Sequence, residues 1–177
     1  IEAATTLRQK LLPAFIGLLA STGLRREEAM NLVWTDVDMG NGFLHIRKSK
    51  NGSSRLVPME VMTLRALGYF ETHRRSAEGP VVAYPDGTRP HIDSFLKPFK
   101  KAAAMAGIEK RVDLHTLRHS YGSNKLRDGW GLKKVSMIMG HSDVVVTANV
   151  YSHLLDGDLK VRDVYFQELL MAQKGTK

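Results

Sequence analysis

Apolar residues recur at three- and four-residue intervals from Leu7 through Leu11, Leu12, Phe15, Leu18 and Leu19, which predicts a buried helix over residues 7–20 with an irregularity at Pro13. Ser21-Thr22-Gly23 breaks the pattern. A short helix is expected next, with Glu27 and Glu28 in its first turn and Leu32 pointing inward. Between Val33 and Val57 the period shortens to that of strands. Phe43, Leu44 and Ile46 favour a sheet, Asn41-Gly42 reads as a two-residue turn, and Asn51-Gly52 as a second turn before Arg55-Leu56-Val57. Helical periodicity returns over residues 59–72 and 91–106, where Gly107 suits a C-terminal cap. The segment between them carries the turn residues Gly79-Pro80, Pro85-Asp86-Gly87 and Arg89-Pro90 and reads as a loop.

Three further helices are expected over Leu114–Leu126, Leu132–Met139 and Asp143–Tyr151, separated by Asp128-Gly129 and Gly140. A last amphipathic segment, Leu159–Met171, sets Val161, Val164, Phe166, Leu169 and Leu170 beside charged residues, and its apolar face needs a partner. Lys174–Lys177 reads as a frayed tail. The pattern as a whole predicts one mostly helical α+β domain with a small antiparallel sheet near its N-terminal third.

Composition narrows the chemistry. A chain of 177 residues with 43% hydrophobic positions forms a core without staples. Cysteine is absent, which excludes disulfides, thiolate metal sites and a thiol nucleophile and suits a reducing cytoplasm. No apolar run approaches the ~20 residues that span a bilayer. The 26 Lys and Arg against 18 Asp and Glu leave a net charge of +8, which points to a polyanion, because basic side chains that neutralise phosphates release counterions. The chain opens at Ile1 without a Met or a signal pattern, so it reads as the C-terminal part of a longer protein.

Several short segments carry candidate chemistry. His115-Thr116-Leu117-Arg118-His119 sets His115 and Arg118 on one helix face, where a guanidinium fork matches two phosphate oxygens and an imidazole exchanges a proton near neutrality. Two other readings compete. His115 and His119 have the spacing of a zinc pair but lack its Glu, and all three side chains could serve packing alone. Thr22-Gly23-Leu24-Arg25 places a second arginine at a loop-to-helix junction, with Glu28 one turn on to orient it. Lys50 sits at the expected hairpin tip, His141 follows the Gly140 turn, and Tyr151 precedes Ser152-His153-Leu154.

The ordered set Arg25, Lys50, His115-x-x-Arg118, His141 and Tyr151 resembles the catalytic domain of the tyrosine recombinases, the phage integrase family, from about Leu7 to about Leu155. The resemblance implies a DNA breaking-rejoining fold and metal-free, cofactor-free strand cleavage and rejoining. Tyr151 would form a 3′-phosphotyrosyl bond, and Arg25 and Arg118 would hold the non-bridging oxygens. Lys50 would protonate the leaving 5′ oxygen, His115 would act as base or proton shuttle, and His141 would donate to a phosphoryl oxygen. Glu28 would support Arg25. Arg26 and Lys48 are the runners-up for Arg25 and Lys50; Tyr69, Tyr84, Tyr121 and Tyr165 are the other tyrosines.

The family further implies double-stranded DNA as partner and a tetramer of the full-length protein on it. It also implies an upstream core-binding domain absent from this chain, and a prokaryotic or phage-encoded protein at the nucleoid. Residues 1–173 would form the catalytic domain, with 158–172 docking on a neighbouring protomer. Lys97, Lys100 and Lys101 are candidate DNA backbone contacts, with Lys110, Arg111, Arg74 and Arg75 nearby in the sequence. A type IB topoisomerase-like activity and a non-catalytic DNA-binding module are the alternatives.

Overall fold

The computed structural model describes residues 2–47, 54–141 and 143–155, with side chains described from 11 to 151. The described chain divides into two compact units, Ile1–Tyr121 and Gly122–Lys177.

The first unit is built around α1 (Glu2–Thr22), which runs unbroken through Pro13. The expected irregularity does not end the helix. Leu11, Phe15, Leu18 and Leu19 are almost wholly buried, as are Ala66, Leu67 and Phe70 of α3 (Val61–Glu71) and Phe95 of α4 (Asp93–Met105). Phe15 and Phe95 stack with centroids 4.3 Å apart. A buried hydroxyl pair, Ser21 with Thr63 at 2.8 Å, fixes the register of α1 on α3.

Between α1 and α3 lie α2 (Arg26–Asn31), a 3-10 turn (Trp34–Asp36) and a three-stranded antiparallel sheet in the order β1 (Val37–Asp38), β2 (Phe43–Ile46), β3 (Arg55–Pro58). Leu44, Ile46 and Val57 are buried while His45 and Leu56 are exposed, the period-2 pattern of a sheet with one face on the core. The first turn differs from expectation. Asp38 pairs with Phe43, so four residues close the loop. The Asp38 carboxylate accepts from the Asn41 backbone N–H at 2.9 Å and from its side-chain amide at 2.7 Å, holding the wider form. The second turn, with Lys48, Lys50, Asn51 and Gly52, lies outside the described residues.

The stretch between α3 and α4 is more than a surface loop. Val81, Val82 and Ala83 are buried, and Val81 N–H donates to the Leu32 carbonyl at 2.9 Å.

Helix α5 (Leu114–Arg127) contains the division between the units. Its start is fixed by Asp113, whose carboxylate accepts the Thr116 N–H at 3.0 Å while Thr116 Oγ1 accepts the Asp113 N–H at 3.1 Å.

The second unit holds α6 (Leu132–Met139) and α7 (Val144–Leu155). Leu132, Val135, Ile138, Met139, Thr147 and Tyr151 form its described core. The segments Leu159–Met171 and Lys174–Lys177 lie outside the described residues. No helix among those described is long and apolar enough to cross a membrane.

Candidate active site

In the first unit, α1 ends at Gly23, whose φ of +64° is favoured only for glycine and whose Cα faces the Tyr121 ring too closely for a Cβ. This turn sets up both arginines. The Gly23 carbonyl accepts a hydrogen bond of 2.5 Å from Nη1 of Arg118, a side chain that is buried. Two residues further, Arg25 is the N-cap of α2 in extended conformation. Glu28 caps it in return, accepting the Arg25 backbone N–H at 2.8 Å and its Nη1 at 3.0 Å. Arg26 instead points to the exposed Glu27, at 2.5 Å. The geometry thus separates Arg25, tied to a buried carboxylate, from its neighbour.

Glu28 has a second partner that the motif pattern does not place in the site. Arg55 of β3 grips the same carboxylate with both terminal nitrogens, Nη1 to Oε1 at 3.0 Å and Nη2 to Oε2 at 2.7 Å. Burial alone would raise the Glu28 pKa, but Arg55 and Arg25 together bring it below the usual carboxylate value. One signal for this pair is present in the sequence: Arg55 shares a strand face with the buried Val57, and an inward arginine needs a buried acid.

His115 stands in the first turn of α5, one turn before Arg118. Burial, His119, Arg118 and Arg25 lower its pKa, against a smaller opposing effect of Asp113. A lowered pKa favours the neutral imidazole, the form that accepts a proton. The His115 and His119 rings meet edge-to-face at 4.7 Å. Removing that neighbour as His119→Gln is expected to raise the His115 titration midpoint, which imidazole NMR signals followed across pH would register. A midpoint that stays put or falls would contradict this account. Among the described residues, no group of three or more His, Asp or Glu could hold a metal ion.

In the second unit, α6 ends in a Schellman motif. Gly140 adopts φ +69°, its N–H donates to the Met137 carbonyl at 3.1 Å, and the His141 N–H donates to the Ser136 carbonyl at 3.1 Å. This reversal sends the His141 ring to Thr147 of α7, with Nδ1 and Oγ1 2.6 Å apart. Thr147, which no motif singles out, thereby orients the imidazole.

Thr147 and Tyr151, one turn apart, are both buried on α7, Tyr151 with only 1% of its surface exposed. The phenol lies over Gly122, where a Cβ would collide with the ring and hydroxyl, and its Oη is 3.8 Å from Sδ of Met139. The other tyrosines occupy different settings. Tyr121 is buried against Gly23, and burial pushes its hydroxyl far above the ordinary value. Tyr69 packs by Phe70 and His73, and Tyr84 is half-buried. Tyr165 lies outside the described residues.

Lys97, Lys100 and Lys101 are exposed on α4, opposite buried Phe95, Phe99 and Ala103. Arg74 and Arg75 are occupied by their own fold. Arg74 lies 5.1 Å from the Trp34 ring centroid, and Arg75 Nε donates to the Pro85 carbonyl at 2.6 Å. On the second unit, Lys125 and Lys134 stand 4.9 and 3.9 Å from the Trp130 ring centroid, a basic and aromatic cluster not singled out from the sequence.

The family model described as "Phage integrase family" matches residues 2–157. The chain belongs to the phage integrase family. Relatives of this integrase-family chain include the tyrosine recombinase XerD of Rhizobium meliloti (strain 1021). That protein is 34% identical over 148 residues, which cover 81% of this chain and 47% of the relative. A tyrosine recombinase of Thermosipho africanus (strain TCF52B) is 32% identical over 152 residues, covering 85% and 51%. The integrase-family chain thus spans about half the length of these curated relatives.

Among solved structures, the XerA recombinase matches with a TM-score of 0.72 at 29% identity, over 94% of this chain and 60% of that one. The XerH recombinase bound to its difH substrate before cleavage matches at 0.68 with 20% identity, over 85% and 44%, a likeness of fold. The fold class read from the periodicity, helical with one small antiparallel sheet, is the one this integrase-family chain adopts.

Proposed function

We propose that this chain is the catalytic part of a site-specific tyrosine recombinase acting on double-stranded DNA. The observation that supports the reading is the first unit's arrangement: Arg25 and Arg118 are each tied to the Thr22–Glu28 stretch by a hydrogen bond, and both lower the pKa of His115, in a chain of this family. Phosphodiester transesterification needs fixed positive charge where the transition state gathers negative charge on phosphoryl oxygens. Arg25 and Arg118 supply it. His115 takes the proton from the attacking hydroxyl, and His141, held by Thr147, donates to a phosphoryl oxygen.

Tyr151 is the nucleophile. Its Oη bonds to phosphorus as the bond to the 5′ oxygen breaks, and Lys50 gives that oxygen its proton. A 5′-hydroxyl from a partner strand reverses the attack, so one phosphodiester is exchanged for another with no external energy source.

The test is a nicked duplex carrying the cognate site, incubated with the chain in EDTA. A covalent protein–DNA adduct is expected. No adduct, or one that forms only with a divalent ion, overturns the reading.

Lys97, Lys100 and Lys101 are assigned to the DNA backbone. Their joint replacement by Gln is expected to weaken binding to all duplexes alike and to flatten the dependence of log Kd on log salt by up to about three counterions. An unchanged slope in a salt titration removes them from the interface. The full-length protein is expected to act as a tetramer, with Leu159–Met171 docking on a neighbouring protomer. Analytical ultracentrifugation on DNA with that segment deleted checks this, and unaltered assembly would refute it.

A further inference from the structure

We propose that Arg55 is a positioning residue for the phosphate clamp. It acts through Glu28 on Arg25, and the inference rests on the recombinase reading above. Three charged groups meet at one place: the Glu28 carboxylate, 6% exposed in its side chain, between Arg55, 9% exposed, and Arg25, 38% exposed. Arg55 takes the carboxylate in the bidentate geometry, while the Arg25 side chain reaches Oε1 through Nη1. The arginine that faces solvent is Arg25.

Charge bookkeeping explains why the third member matters. Arg25 and Glu28 alone would form a neutral pair, and a carboxylate with no other cation would draw the Arg25 guanidinium onto itself. Arg55 neutralises Glu28 from the protein side, so the carboxylate does not depend on Arg25 for its balance of charge. The carboxylate meanwhile stays ionised and keeps its bond to the Arg25 backbone N–H, which holds the N-cap in place.

A contribution to folding alone is a poor reason for this pair, since a buried ion pair is commonly no more stabilising than well-packed apolar residues in its place. The pair also joins β3 to α2, so the strand and the helix that presents Arg25 share one anchor.

The experiment is a double-mutant cycle on the single-turnover rate of adduct formation, with duplex affinity and thermal unfolding measured on the same samples. Arg55→Gln in the otherwise unaltered chain is expected to slow adduct formation by about 10²-fold, the scale of losing one aligned transition-state donor, with Kd for the duplex changed less than about threefold. In an Arg25→Lys background, which is already misaligned, Arg55→Gln is expected to slow the reaction less than about threefold further, because the two act as a unit. Arg55→Lys, which returns the charge to the pocket, is expected to recover part of the rate.

Effects that multiply, a rate unaffected by Arg55→Gln, or an equal fall in rate and affinity would each overturn the inference. Should Arg55→Gln not fold, the cycle is run with Arg55→Lys; failure of both to fold assigns the pair to the fold alone and also overturns it. An unaltered chain that forms no adduct defeats the recombinase reading itself. Normal adduct formation with a multiplicative cycle defeats only the role of Arg55.

Discussion

Replacing Tyr151 by Phe is expected to abolish the covalent adduct, with adduct formation falling by on the order of 10⁴-fold or more, since no other phenol stands on α6 or α7 to take its place. What makes the substitution decisive is that it leaves the packing as it is. The ring is seated over Gly122 and beside Met139, and Phe keeps the ring, its volume and its burial. Oη lies 3.8 Å from the Met139 thioether sulfur, and deleting a hydroxyl that makes an ordinary hydrogen bond costs about 1 kcal/mol. Thermal unfolding should therefore shift by a few degrees at most, and duplex affinity should hold, because the proposed reading assigns the grip on the phosphate to Arg25 and Arg118. Denaturing electrophoresis of the adduct, alongside a melting curve, measures both halves. An adduct that persists in Tyr151→Phe removes Tyr151 from the reaction, and a collapse of stability would show that the side chain serves packing.

The elements that periodicity announces are those whose own residues suffice to specify them. Helix α6 spans Leu132–Met139, the bounds its apolar spacing and following glycine set, because the Gly140 turn is a local event. Gly107 likewise takes φ +73° where α4 must reverse. The departures come from partners distant in sequence or from loop chemistry. Pro13 stays inside α1, a helix that packs on α3 and α4. Asn41-Gly42 suggests the tightest turn, but the Asp38 carboxylate binds Asn41 and opens the loop to four residues. Val81-Val82-Ala83 reads as loop because a short apolar run between turn residues shows no period, yet its backbone bonds to Leu32.

The same division runs through the site. The proposed residues Arg25, His115, Arg118, His141 and Tyr151 stand in the sequence as residue types in the order that the family resemblance implies. What orients each of them is harder to read: Arg55 meets Glu28 across 27 positions, and Gly23 meets Arg118 across 95. Such pairings follow from the fold and leave only faint marks in the sequence, such as an inward-facing arginine on β3.

Arg118→Lys is expected to slow adduct formation by about 10²- to 10³-fold although the charge is kept, the magnitude associated with losing an aligned donor to developing oxyanion charge. The Arg118 guanidinium is buried and one terminal nitrogen already donates to the Gly23 carbonyl. A guanidinium has five donors in a rigid plane, so it holds that carbonyl and still presents a fork to a phosphate; an ammonium is a single point that cannot span both. Lysine would be drawn to the carbonyl or to the phosphate, and the other would go unserved. The anchor itself admits little adjustment, because Gly23 sits at φ +64° against the Tyr121 ring. Affinity for the duplex should fall by much less than the rate, since charge neutralisation survives while alignment does not. A lysine variant that cleaves at the rate of the unaltered chain would show that charge alone is required at this position, and the Gly23 anchor would then have no catalytic consequence.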